Sequence, residues 1–270
     1  MRYFRDLKTE QIYVIIIAEN LATRALCASH TVSSIPLLII KIRRYVMKIG
    51  LIVAIEMESV FEYYKNVTEL DSPCGYKVYY TKKEKHEIYI IRMGMGEIAA
   101  SAGVQYAITK YGVDLIVNFG VVGGLSNKII KQRVCVIDRV VHYKYDCSEF
   151  MPLKKGQVDG HDSIFLTNDL KLVEKALEVY PELKKATCCS GDKFVGTAEE
   201  KTQLHNDFEG DVCDMESAGI VLTCEANSVR CLMLKAVSDS LMGGAKEFYE
   251  ELKDASIICL QVTDKIIDSL

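Results

Sequence analysis

The chain has 270 residues, 49% apolar and 26% charged, and a net charge of -4. That size and balance suit a soluble protein with one large α/β domain or two small ones, and argue against a broad basic nucleic-acid surface. Ten cysteines without a CxxC pair and five scattered histidines without HxxxH spacing argue against a disulfide scaffold or a metal site.

Residues 1–46 differ in character from the rest of the chain. The apolar run Ile12 to Ala18 has basic residues before it, but Asp6, Glu10 and Glu19 crowd it and it is too short to span a bilayer. We expect an N-terminal extension outside the fold and no membrane partner, the competing reading being a membrane-tethering leader, with 47–270 as a single domain. Met47 opens MKIGLIVAIEMES. Ile49 to Ile55 reads as a buried parallel strand, and Glu56-Met57-Glu58 as the acidic first turn of a helix. Tyr76 to Tyr80 and Glu87 to Ile91 read as antiparallel strands joined by a lysine-rich turn.

Gly94-x-Gly96-x-x-Ala99 only partly matches a dinucleotide fingerprint. The acid expected about 20 residues on would be Asp114, which precedes the next strand instead of ending it. A glycine turn that brings backbone close to a small ligand fits better, and no cofactor is expected. Leu115 to Phe119 is a buried strand running into a second glycine-rich turn, Gly120 to Gly124. Val134 to Asp138 and Val140 to Tyr143 are strand material. Residues 144–163 form a long surface loop, and Leu170 to Tyr180 an amphipathic helix.

Ala186 to Cys189 is a short strand, followed by the loop Ser190-Gly191-Asp192-Lys193-Phe194-Val195. Phe194 at its tip either stacks on a planar ligand or tucks under the loop as a core residue. Ala198 to His205 reads as helix. Asp214-Met215-Glu216 is an acidic turn before an apolar helical run, Cys231 to Val237 a buried strand ending in Ser238-Asp239, and Lys246 to Leu270 a long closing helix. Alternating strands and helices imply a mixed, mostly parallel sheet wrapped by helices. Ligands of such sheets bind beyond the carboxyl ends of strands. Asp239 would then stand at the mouth of a crevice with Glu216 at its lip, an arrangement for acid–base chemistry. The plainer alternative is a helix-capping Asp and a surface Glu.

KIGLIVAIEMES at 48–59, NFGVVGG at 118–124, SGDKF at 190–194, DMES at 214–217 and VSDS at 237–240 occur in one order. In order and spacing they resemble the 5′-methylthioadenosine/S-adenosylhomocysteine nucleosidases of the nucleoside phosphorylase superfamily. The resemblance spans about 47–267 and implies a nucleoside phosphorylase-like fold. It also implies hydrolysis of the N-glycosidic bond between adenine and a 5′-thio-substituted ribose. It makes Asp239 the acid that protonates adenine N7 and Glu58 the base that orients or activates water. Glu216 would bind the ribose hydroxyls, with Met215 on the sugar face. Phe194 would stack on adenine while the Val195 backbone meets its edge. Ile55 would lie near the 5′ group, with Phe248 or Tyr249 walling the alkylthio pocket. Val122, Gly123 and Ser238 complete the implied substrate-binding set. The resemblance further implies an adenine nucleoside and water as substrates and a homodimer whose 144–160 loop reaches the neighbouring pocket, while the cysteines, several of them inside apolar runs, suggest a reducing cytoplasm.

Two departures stand out: Val121 where a small hydroxyl residue is usual, and the 143–152 loop YKYDCSEFMP. Two rival readings remain open. A phosphate-using purine nucleoside phosphorylase would need paired arginines, whereas the first strand runs into Glu56 and Glu58 and only Arg92 lies near. A non-catalytic nucleotide-binding module would use Gly94 to Ala99 but leave the three acids without a role.

Overall fold

The computed structural model describes residues 2–5, 12–15, 46–73, 75–83, 85–131 and 133–270. The chain divides into two units, 1–43 and 44–270. In the first, β1 (Arg2–Arg5) pairs antiparallel with β2 (Ile12–Ile15). The expectation for residues 1–46 otherwise lies outside the described residues.

The second unit runs β3 (Met47–Val53), α1 (Met57–Tyr63), β4 (Thr68–Leu70), β5 (Lys77–Lys82), β6 (His86–Arg92) and α2 (Glu97–Tyr106). A π-helical turn over 107–111 extends α2. Then come β7 (Leu115–Gly124), β8 (Val134–His142), β9 (Leu166–Thr167), α3 (Leu170–Val179) and β10 (Lys184–Ser190). The unit closes with α4 (Ala198–Phe208), β11 (Val212–Asp214), α5 (Ser217–Ala226), β12 (Arg230–Asp239) and α6 (Ala245–Ser269).

Among the described residues these strands form one mixed sheet ordered β11-β10-β8-β12-β7-β3-β6-β5-β4, with β9 beside β8. β6, β3, β7 and β12 run parallel. β8 meets β12 antiparallel. β11 pairs both β10 and β7, so β7, β12, β8, β10 and β11 close on themselves. The closed end gathers the strand termini where the glycine loops and acidic residues lie.

The central strands are apolar because both faces are covered. One face packs Ile52, Ile91, Ile116 and Met233 against Ala100 and Val104 of α2 and Ile220 of α5. The other packs Leu51, Val117, Phe119 and Leu234 against Leu260, Ile266 and Ile267 of α6. Each fully buried aliphatic side chain contributes roughly 1.5–3 kcal/mol. Local signals fix the helix starts. The Asp169 carboxylate accepts the Lys171 and Leu172 amides at 3.0 and 3.2 Å to open α3, and the Thr197 hydroxyl accepts the Glu200 amide at 3.3 Å to open α4.

One expectation changes. Gly120 to Gly124 is not a turn but the last half of β7, in register with Lys235–Asp239 of β12. The glycines let this strand lie flush against acidic side chains. A β-carbon at Gly120 would stand 2.7 Å from Glu56 Oε1, and one at Gly123 would stand 3.3 Å from Asp239 Oδ2.

Candidate active site

Asp239 ends β12 and is 1% exposed, so it forms the floor of a closed corner, not its mouth. Lys201 Nζ, from α4, donates to its Oδ2 at 2.5 Å. The Ser238 hydroxyl lies 3.0 Å from Oδ1 and 3.3 Å from the Val122 carbonyl, with one proton to give. Gly123 closes the corner, with Cys213 of β11 beside it. Burial raises the Asp239 pKa and the Lys201 ammonium opposes it; burial prevails. Asp239, Ser238, Val122 and Gly123, all anticipated from sequence, are thus brought together.

Glu216 is buried at the start of α5, where its Oε1 accepts the Gly96 amide at 2.9 Å and its Oε2 the Met215 amide at 3.3 Å. The Gly94–Gly96 turn therefore serves this carboxylate. Burial, then the charge of Asp214, pushes Glu216 up to about 7; Glu56 adds to the rise and Lys235 opposes it. Asp214 is held by the Ser217 hydroxyl at 2.5 Å and Lys235 Nζ at 3.0 Å. Burial alone would raise Asp214, but Lys235 and these hydrogen bonds keep it below the usual carboxylate value. Lys235 is itself buried, and Asp214 and Glu216 outweigh the desolvation that would strip its proton.

The structure does not bring Glu58, the expected base, to this corner. Glu58 lies on the outer side of α1, its side chain 78% exposed and paired with Lys253 at 3.3 Å. Met57, Ser59 and Val60 take the buried positions of this short helix, so residue 58 faces away from the corner. Glu56, just before α1, turns inward instead and is 6% exposed. Its Oε2 accepts the Ile55 amide at 2.9 Å and its Oε1 the Val121 amide at 3.1 Å. Ile55 is half-buried against the core, and Val121 supplies backbone to this carboxylate where a hydroxyl side chain was expected.

Phe194 is 43% exposed and meets Phe248 edge to face, centroids 5.5 Å apart. The core alternative for this ring does not hold. Val195, at 6% exposed, buries its side chain beside Leu125, Tyr143 and Leu204, which anchors the loop below the ring. The Ser190 hydroxyl accepts the Ala218 amide at 3.0 Å and donates to Glu97 at 3.2 Å, and Glu97 meets His142 at 2.7 Å. These bonds tie the loop to α2, α5 and β8.

Sequence reasoning missed Glu56, Asp214, Lys201 and Lys235 as site residues. Lys235 had a visible signal, a lone cation inside the apolar strand CLMLKAV. Lys201, in the polar helix AEEKTQLHNDF, had none. Among the described residues, no group of three acidic, histidine or cysteine side chains could hold a metal ion, and no helix is long and apolar enough to cross a membrane.

The sequence profile of the phosphorylase superfamily matches residues 48–270. An aminodeoxyfutalosine nucleosidase of Campylobacter jejuni is 28% identical over 212 residues, covering 76% of this chain and 91% of that protein. A 5′-methylthioadenosine/S-adenosylhomocysteine nucleosidase of Haemophilus influenzae is 27% identical over 234 residues, covering 82% and 100%. The crystal structure of the corresponding Helicobacter pylori nucleosidase superposes with a TM-score of 0.78 at 24% identity, covering 84% and 100%, a likeness of fold.

Proposed function

The chain belongs to the phosphorylase superfamily, and on that premise we propose that it hydrolyses the N-glycosidic bond of 5′-substituted adenine nucleosides such as methylthioadenosine or adenosylhomocysteine, releasing adenine. The observation that carries this reading is the gathering of three buried carboxylates, Asp239, Glu216 and Glu56, around one end of the sheet. The raised Asp239 is suited to hold a proton and pass it to N7, which makes adenine a leaving group. As the C1′–N9 bond breaks, positive charge builds on the sugar. Glu216 accepts the ribose hydroxyls and faces that charge. Glu56 orients water and takes its proton as the water oxygen bonds to C1′, in the manner of an inverting glycoside hydrolase. Phe194 stacks on the base, Phe248 walls the 5′ group, and Met215 lies on the sugar face.

Phosphorolysis on the same scaffold is disfavoured because Glu56 would repel phosphate and Arg92 is exposed to solvent. Adenine release by the purified chain, measured with and without phosphate, tests the reading; strict phosphate dependence would overturn it. Homodimer formation is supported by exposed Met95, Ile98 and Phe150 (63, 82 and 77%), which offer apolar surface beside the site and on the 144–160 loop. Light scattering of the purified protein tests it, and a monomer at working concentrations would refute it. Cytoplasmic residence and a part in methionine salvage accord with buried free thiols and an adenosylhomocysteine-type substrate.

A further inference from the structure

Lys201 is fully buried. Its ammonium donates to Asp239 Oδ2 at 2.5 Å, to the Ser240 carbonyl at 2.5 Å and to the Gly243 carbonyl at 3.0 Å, which occupies all three protons. It is carried on α4, the helix directly following the loop that presents Phe194. Two backbone carbonyls and the proposed acid hold this ammonium, and the acid becomes its counter-charge once it has given up its proton.

We propose that Lys201 is a positioning residue that makes Asp239 a competent acid: it fixes the carboxyl and stabilises the carboxylate left when the proton departs. The inference rests on the reaction proposed above. In that reaction the Asp239 O–H bond breaks, N7 takes the proton, the C1′–N9 electron pair leaves with adenine, and water bonds to C1′. Lys201 keeps its own proton throughout. A neutral acid beside an ammonium thus becomes a buried ion pair, and no isolated carboxylate is stranded. Ser238 fits either state, accepting from protonated Asp239 while donating to Val122, or donating to the carboxylate.

The groups facing Asp239 are few. Lys201 comes from α4 and Glu247 from α6, and the two pull Asp239 in opposite directions. Cys213 comes from β11, a thiol that burial pushes up to about 12 and so leaves neutral. Ser238 shares its strand, and β7 contributes the backbone of Gly123. Lys201 is therefore the cation that offsets burial. Removing it makes Asp239 hold its proton more tightly, so the falling alkaline limb of activity moves to higher pH while the acid becomes weaker.

The test uses methylthioadenosine and its N7-methylated analogue, whose base is already cationic and leaves without a proton. Lys201→Met is expected to lose about 10²-fold in kcat on methylthioadenosine. On the N7-methyl substrate it stays within about threefold of the parent. Its alkaline limb moves up, and Lys201→Arg recovers most of the loss. Equal slowing on both substrates with an unmoved limb would overturn the inference, whereas a parent protein that releases no adenine would overturn the proposed function instead. Should Lys201→Met not fold, Asp239→Asn/Lys201→Met removes both charges together. That double variant is expected to match Asp239→Asn alone within about twofold; a further large loss would show a role of Lys201 apart from the acid.

Discussion

Whether Glu56 or Glu58 serves as the base can be decided by comparing Glu56→Gln with Glu58→Gln. Each Glu56 oxygen accepts one backbone amide, from Ile55 and from Val121. A glutamine supplies one acceptor oxygen and turns its NH₂ toward the other N–H, so the substitution removes the charge and leaves one buried amide unsatisfied. The structural cost is about 1–3 kcal/mol, which lowers Tm by roughly 2–4 °C per kcal/mol in a domain of this size. Loss of a general base costs about 10²–10⁴ in rate, or roughly 3–5 kcal/mol of transition-state stabilisation. Glu58→Gln breaks an exposed pair with Lys253, which still has Glu62 at 2.9 Å. That variant is expected to keep kcat within about twofold. Adenine release under saturating methylthioadenosine, at a temperature where both variants are folded by circular dichroism, reads the difference. A crippled Glu58→Gln beside a near-normal Glu56→Gln would refute the argument from burial and return the base to position 58.

Three further outcomes are expected from the same geometry. Asp239→Asn should lose at least about 10²-fold in kcat and still bind a non-hydrolysable adenine nucleoside analogue in calorimetry; near-parental turnover would remove Asp239 as the acid. Phe194→Ala should raise KM about five- to tenfold through lost ring contact with a smaller effect on kcat, and an unchanged KM would place adenine elsewhere. Glu216 binds its proton more tightly folded than unfolded, so between its ordinary value and about 7 the folded state holds the extra proton. Its contribution to stability is therefore greatest at low pH and declines as pH rises through that window. Glu216→Gln should shrink the fall in Tm between pH 5 and pH 8, and an undiminished fall would show that Glu216 ionises normally.

The strands at the core are readable from sequence because β3, β7 and β12 are predominantly apolar, and such runs belong to strands covered on both faces. Asp239 and Glu216 are readable because each stands at the boundary between an apolar element and a loop. The inward-facing glutamate is not, because EMES offers two glutamates at a helix start and the sequence does not say where the first turn begins. Beginning α1 at Met57 puts residue 58 outside and leaves residue 56 on the inward-turning segment. The glycine run reads as a turn because glycine usually breaks strands. Here the missing side chains let β7 approach Glu56 and Asp239, a reason set by tertiary neighbours. Lys201 is invisible in the sequence for a similar cause, since its burial depends on the loop after β12, which supplies two of its three acceptors.

The balance of buried charge separates hydrolysis from phosphorolysis more firmly than any single residue. Glu56, Asp214, Glu216 and Asp239 are all buried at the site, against the buried cations Lys201 and Lys235. Lys235 is spent on Asp214 at 3.0 Å and Lys201 on Asp239 at 2.5 Å. Neither ammonium is left to hold an incoming phosphate, and that anion would meet Glu56 beside Val121. A neutral water has no such penalty, and a ribose turning cationic gains from the same acids that would repel phosphate. Burial raises both Glu216 and Asp239, with the charge of Asp214 adding to the rise at Glu216, and at Asp239 the proton so held is what the leaving adenine needs.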